Sequence, residues 1–304
     1  MTLLPALTEQ ARTAAHPRPG TASCGCGTAA LADRPDATVV RHADTVAKAH
    51  APGTDPAHLA LRVATAARLP DILLPPLTPD AVPLHDRLVT FWPYGAPVDP
   101  DDPDAAPWEA AATLLARLHA GAPPAGLPPM RGPAKAARAL ARLHAALRTA
   151  PDERTHPVVL RAWAALPPWA RGEAPMPGPP ALCHGDLHLG QLVRHPAPEG
   201  RWLLIDVDDL GLGVPAWDLA RPAAWYACGL LPPDEWTRFL TAYQRAGGPA
   251  VPADGDPWSV LDIPARALTV QTAALAIVRA LAAHRPLDEV EQALIDACAR
   301  MTAP

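Results

Sequence analysis

The sequence predicts an α+β protein of two lobes: a small N-terminal antiparallel sheet with one helix, then a larger and mainly helical C-terminal lobe. Three observations predict it. Short β-prone runs alternate with turn residues between Thr38 and Trp92. One capped helix, starting at Asp55-Pro56, interrupts them. From Pro107 onward apolar residues recur at spacings of three and four, the period of a helix with one buried face. The character changes near Trp92–Asp99, so residues 1–95 are assigned to the first lobe and 96–304 to the second.

Taken in order, residues 1–20 are rich in Ala, Thr, Pro and Arg and read as a frayed start, with room for a short helix. Thr38–Val40 and Thr45–Lys48, around His42-Ala43-Asp44, form a hairpin that Pro52-Gly53 ends. Asp55 caps a helix that begins with Pro56, a position where the missing N–H costs nothing, and runs to about Arg68. Ile72–Leu77 and Leu84–Trp92 read as further strands. Helices are expected over Trp108–Ala120, Ala134–Arg148 and Pro157–Trp169. Two strand signals, Leu192–Arg194 and Trp202–Ile205, follow a polar loop. Four helices complete the chain: Ala216–Cys228, Asp234–Arg245, Ile263–His284 and Leu287–Met301. The 41 prolines, many in pairs, break this run into short elements joined by stiff turns.

The 304 residues suffice for one large core or two lobes, and the 49% hydrophobic content is that of a globular chain. A net charge of −5 and the absence of any Lys/Arg-rich run argue against a nucleic-acid partner held through phosphates. Ala267–Val278 is the longest apolar stretch; it is too short to cross a bilayer and reads as a buried helix, and no signal peptide is expected. The five cysteines show no disulfide framework, which points to a reducing, cytoplasmic setting. Cys24 and Cys26 stand as a close pair, but no second close Cys or Cys/His pair completes a zinc pattern. The histidines at 42, 50, 85, 119, 144 and 195 share no ligand spacing and read as core or surface residues.

Chemistry concentrates in Cys183-His184-Gly185-Asp186-Leu187-His188-Leu189-Gly190-Gln191 and, fifteen positions beyond Gln191, in Asp206. Phosphoryl transfer needs a carboxylate to orient a hydroxyl and ligands for the metal that holds the phosphates. A His-x-Asp with an amide residue five positions later supplies the carboxylate and one ligand from a single loop. An Asp beyond a short hairpin supplies the other. The chain then continues Gly213-Val214-Pro215-Ala216-Trp217-Asp218-Leu219-Ala220.

Across residues 182–220 this pattern resembles the aminoglycoside phosphotransferase and choline kinase-like family, whose fold is protein-kinase-like. The resemblance implies a kinase that moves the γ-phosphate of ATP or GTP to a hydroxyl of a small molecule such as an aminoglycoside, a sugar or an amino alcohol. It implies Asp186 as catalytic base, Gln191 and Asp206 as Mg²⁺ ligands, His184 as a brace of the loop, and Asp218 as holding the segment after the metal site. Residues 1–95 would then be the nucleotide-binding lobe, and 96–304 the catalytic and substrate-binding lobe. Gln191 stands where the family usually has Asn; it keeps the carbonyl oxygen a hard cation requires.

Lys48, on the second strand of the hairpin, is the residue that would grip the α- and β-phosphates. The helix after it carries no Glu to pair with it; His58 and Arg62 stand there instead. No glycine-rich turn lies between Ala29 and Ala37, though Gly25 and Gly27 precede it. Asp208 and Asp209 fit either a ligand role or a polar turn. The C-terminal Trp and Tyr residues fit either a stacking platform or the core. Two other readings stay open: a kinase of peptide Ser/Thr, and a nucleotide-binding pseudokinase or interaction protein. The sequence sets neither the acceptor nor the oligomeric state.

Overall fold

A computed structural model describes residues 2–17, 24–149 and 156–301. It divides into two compact units. The first comprises Met1–Ala106, Pro124–Pro128 and Leu189–Asp208; the second comprises Pro107–Pro123, Pro129–His188 and Asp209–Pro304. A single cut after residue 95 is therefore not where the units separate. The reason is strand pairing, which draws Leu189–Asp208 to the first unit.

The first unit starts with α1 (Leu3–Ala15), a full helix where a frayed start was expected. Its apolar face explains the difference. Leu7 and Ala11 are fully buried against Val40, Ala47, Val89 and Phe91, and tertiary burial of such a face stabilises a helix more than propensity does. The sheet is formed by β1 (Thr28–Arg34), β2 (Ala37–His42), β3 (Thr45–Ala49), β4 (Val82–Leu84) and β5 (Arg87–Pro93), in the order β1-β2-β3-β5-β4. Every pairing in it is antiparallel. β1 lies along mostly exposed positions, which carry no apolar alternation for a sequence reading to detect. Leu84–Trp92 is not one strand but the end of a hairpin whose turn, His85-Asp86, includes a left-handed His85.

Between β3 and β4 lies α2 (Pro56–Arg68), capped as expected by Asp55, whose carboxylate accepts from the His58 N–H at 2.9 Å. Ile72–Leu77 forms no strand; it makes a single bridge, Leu73 to Leu204. β6 (Ala96–Pro97) pairs with the hairpin described below.

The second unit contains α3 (Trp108–Ala120), α4 (Gly132–Thr149), α5 (His156–Ala164) and β7 (Ala181–Cys183). The chain then returns to the first unit for β8 (Leu192–His195) and β9 (Arg201–Leu204), at the positions the sequence suggested. β8 pairs with β6, and Leu74, Val193 and Leu203 close a small core beneath the hairpin. Back in the second unit, β10 (Gly211–Gly213) pairs with β7. There follow α6 (Ala220–Ala227), α7 (Pro233–Arg245), α8 (Trp258–Ala282) and α9 (Glu289–Arg300). A short 3₁₀ turn, Pro215–Trp217, precedes α6, so the helix starts later than Ala216.

α8 is the axis of the second unit. Val270, Ala273, Ala274 and Ile277 pack with Leu140 and Leu143 of α4, Val159 and Ala162 of α5, and Leu294 and Cys298 of α9. At 25 residues it is longer than the apolar stretch that announced it. By length and composition it could cross a membrane, yet 67% of its apolar window is buried, which is the position of a core helix.

Candidate active site

In the first unit, β3 carries Lys48 between two hydrogen-bonded neighbours, with Val39 of β2 and Thr90 of β5 opposite it. A central strand leaves a lysine no route to bulk water on its buried face, so its charge must be met. Lys48 Nζ lies 2.6 Å from Asp206 Oδ1 and 2.9 Å from Asp208 Oδ2. Burial alone would depress the ammonium, but the two carboxylates outweigh it and hold the pKa well above its ordinary value. Asp206 and Asp208 are shifted the opposite way: burial opposes ionisation, and Lys48 overcomes it.

Two further features brace this cluster. His50 Nδ1 lies 2.6 Å from Asp208 Oδ1, and its Nε2 lies 2.8 Å from Thr90 Oγ1. Asp206 has φ 68, a left-handed conformation that an Asp tolerates better than most side chains. That bend lets its Oδ1 accept the Asp208 N–H at 3.1 Å. Gln191 is buried, its Nε2 3.5 Å from Asp206 Oδ2, and its backbone carbonyl accepts from the Ile205 N–H at 2.9 Å. The first unit therefore brings together Lys48, Gln191 and Asp206. It also answers what pairs with Lys48 in place of a helix Glu: Asp206 and Asp208. Gly25 and Gly27 lie before β1, and the β1–β2 turn is made by Pro35-Asp36.

In the second unit, β7 delivers His184-Gly185-Asp186 into a loop shaped by Asp218. Asp218 Oδ2 accepts the His184 N–H at 2.5 Å, and its Oδ1 accepts the Gly185 N–H at 2.7 Å. His119 Nε2 lies 3.0 Å from the same Oδ2, with its Nδ1 2.8 Å from Tyr243 Oη. Asp218 thus braces the loop before Asp186, not the segment after Asp206 that the resemblance implied. Gly185 has φ 86, and a Cβ there would stand 2.4 Å from the Asp209 carbonyl oxygen. Only glycine allows this approach.

Asp186 is held by two cations. Lys135 Nζ of α4 lies 2.5 Å from Oδ2, and Arg221 Nη2 of α6 lies 3.0 Å from Oδ1. Lys135 also reaches Asp209 Oδ2 at 2.7 Å, and Arg131 Nε reaches Asp209 Oδ1 at 2.8 Å. Burial would raise the Asp186 pKa, but Lys135 and Arg221 more than offset it, so the carboxyl titrates below its ordinary range. His188 is pushed down to about 4, first by burial and then by Arg221. A small pocket opens beside Asp186, lined also by Lys135, Trp217, Arg221, Leu268 and Gln271. Trp217 and Trp236 are buried, and Trp236 stacks on Tyr226, so these rings serve chiefly as core. Cys183 is buried, and burial raises its thiol pKa, as expected of an inert residue.

Sequence reasoning missed His50, Lys135, Arg131 and Arg221. One signal for Lys135 was present. The chain has only two lysines, Lys48 and Lys135, and each is ion-paired to an aspartate of the motif segment.

The model of the phosphotransferase enzyme family matches residues 31–258. No curated protein matches the chain. Among solved structures, a choline/ethanolamine kinase family protein from Mesorhizobium loti is 20% identical, with TM-score 0.57, covering 96% of this chain and 92% of its own. A macrolide 2′-phosphotransferase from Brachybacterium faecium is 20% identical, with TM-score 0.52, covering 99% and 98%. An aminoglycoside 2′-phosphotransferase-IIIa is 14% identical, with TM-score 0.59, covering 96% of each chain. These likenesses show the kinase-like fold. The family match, which spans most of the chain, shows that it is a member of the phosphotransferase enzyme family.

Proposed function

We propose that Asp186 is the catalytic base of a kinase that transfers the γ-phosphate of ATP or GTP to a hydroxyl of a small metabolite or antibiotic, in the cytoplasm. The observation that carries this reading is the state of Asp186. Its carboxylate is met by two cations, which favour the ionised form, and it is set on a loop whose backbone is pinned by Asp218. Such a carboxylate can accept a hydroxyl's hydrogen bond and orient its oxygen for in-line attack.

Lys48 supports the phosphate-gripping role: its ammonium is fully charged, buried, and held by carboxylates that a nucleotide's phosphates can replace as partners. Gln191 lies beside Asp206, its Nε2 3.5 Å from Oδ2; with the amide turned over, its carbonyl oxygen would stand next to the carboxylate, the hard oxygen set that Mg²⁺ takes. When bound, Mg²⁺ would neutralise charge on the phosphate oxygens. Nucleotide use is supported by relatives: the aminoglycoside 2′-phosphotransferase-IIIa was solved with GDP, and a spectinomycin phosphotransferase with ADP and spectinomycin. The acceptor setting favours a neutral or anionic molecule over a polycation, because Lys135, Arg131 and Arg221 outnumber Asp186 and Asp209 around the pocket.

The test is transfer of labelled γ-phosphate from ATP and GTP to panels of sugars, amino alcohols, aminoglycosides and peptides. Asp186→Asn should lower kcat on the true acceptor by ~10²–10⁴ while nucleotide binding, read by calorimetry, stays near wild type. Wild-type turnover in that variant would remove Asp186 from the role. Labelling of peptides alone would replace the small-molecule acceptor.

A further inference from the structure

Away from Asp186 and Lys48, four metal-ligating side chains of the first unit converge: His16, Cys24, Cys26 and His42. They come from three places in the chain. His16 is the residue that ends α1, Cys24 and Cys26 precede β1, and His42 ends β2. One ligand atom from each lies within 4.8 Å of all the others. His42 Nε2 is 3.1 Å from Cys24 Sγ and 3.3 Å from His16 Nε2. A tetrahedral zinc with the usual bond lengths sets its ligands about 3.3 Å apart for two nitrogens and about 3.6 Å apart for nitrogen and sulfur. The two distances from His42 Nε2 lie within about 0.5 Å of those spacings.

The hydrogen bonding of His42 points the same way. Its ring is buried, and Nδ1 lies 2.7 Å from Thr28 Oγ1. A ring that gives its Nδ1 proton to a hydroxyl keeps a lone pair at Nε2, and an outer partner of this kind is what orients a metal-bound histidine. That single lone pair faces both a thiol and a second imidazole nitrogen, and it cannot accept a good hydrogen bond from each. One cation between them satisfies all four groups at once.

We propose that His16, Cys24, Cys26 and His42 form a structural zinc site. Two thiolates and two imidazoles select zinc over the hard cations, and four protein ligands leave no open position for catalysis. The site would fasten the end of α1 and the start of β1 to β2. β1 is an exposed edge strand that buries little of its own, so a cross-link there supplies order that its side chains do not.

The experiment uses the full chain, purified reduced, loaded with ZnCl₂ and passed through a desalting column. Elemental analysis should find about one zinc per chain. Loading with CoCl₂ instead should give intense visible d–d bands of tetrahedral Co(II) and a near-ultraviolet thiolate-to-cobalt band. Cys24→Ser/Cys26→Ser should lose the bound zinc and the thiolate band. Thiol titration of the wild type should show both cysteines protected by zinc and exposed again by EDTA. None of these readouts depends on phosphoryl transfer. Reduced wild-type protein that retains neither metal would overturn the proposal. So would a Co(II) adduct without a thiolate band, or full zinc retention in the double variant. If the double variant does not fold, the cobalt spectrum and thiol protection of the wild type decide.

Discussion

At the level of single residues, the two lysines divide the work between them. Lys48 is buried and meets two carboxylates, and half-buried Lys135 meets two others, one of them Asp186. Each is a compact charge on a flexible stem, able to exchange one anionic partner for another, where an arginine's planar fork would not. For Lys48→Ala, KM for the nucleotide should rise and kcat should fall, since the same charge binds and aligns phosphates. Steady-state kinetics at saturating acceptor reads both, and unchanged constants would remove Lys48 from the site. Lys135→Met tests the other pair. Lys135 lowers the Asp186 pKa, so its loss must raise it. The acid limb of the kcat/KM profile should then move to higher pH, with activity at neutral pH retained in part. A limb that stays in place would mean that Asp186 does not set it.

At the level of elements, the loop after β7 shows how a site is built from backbone shape. Asp218 holds the N–H groups of His184 and Gly185, and Gly185 passes against the Asp209 carbonyl. Gly185→Ala combines a left-handed φ with a backbone clash, and should cost more than ~1 kcal/mol of stability. Urea unfolding should show a lower midpoint at unchanged slope. Transfer activity should fall further than stability does, because Asp186 is the next residue. An alanine variant with wild-type midpoint and turnover would show that the loop relaxes freely.

At the level of the whole molecule, buried charge sets the pH range of stability. His188 has its pKa lowered from 6.5 to about 4, so the unfolded chain binds its proton first as pH falls. Stability should therefore decline from about pH 6.5 towards 4. Below that, Asp206 and Asp208, whose pKa values are depressed in the folded state, lose their contribution as they become protonated. On the alkaline side, Lys48 has a raised pKa, so its contribution is complete below its ordinary 10.5 and is lost as pH rises beyond it. Chemical denaturation at several pH values should show a plateau between about 7 and 8 and a decline above about 9, where the thiols that the fold buries at Cys183 and Cys298 ionise in the unfolded chain, and His188→Gln should flatten the first acid decline. A wild-type curve without that decline would contradict a half-buried imidazole held neutral.

Local order along the chain was enough to settle a good deal. Turn residues, the Asp55-Pro56 cap and the three-four periodicity marked α2, α3, α4 and the β8–β9 hairpin close to their observed bounds. The spacing of His184-Gly185-Asp186, Gln191 and Asp206 pointed to the phosphotransferase family, because those residues sit on one loop and one hairpin, where sequence distance translates directly into geometry. What escaped the sequence depended on partners remote in the chain. α1 is ordered by strands it packs against, and β1 by pairing alone. Asp208 beside Lys48 and Lys135 beside Asp186 are contacts across 160 and 51 positions. The His16, Cys24, Cys26 and His42 cluster has no consecutive spacing to read, since a helix end, a loop and a strand end assemble it. Periodicity and capping are properties of neighbours in sequence, whereas the neutralisation of buried charge and the convergence of ligands are decided only when the chain folds.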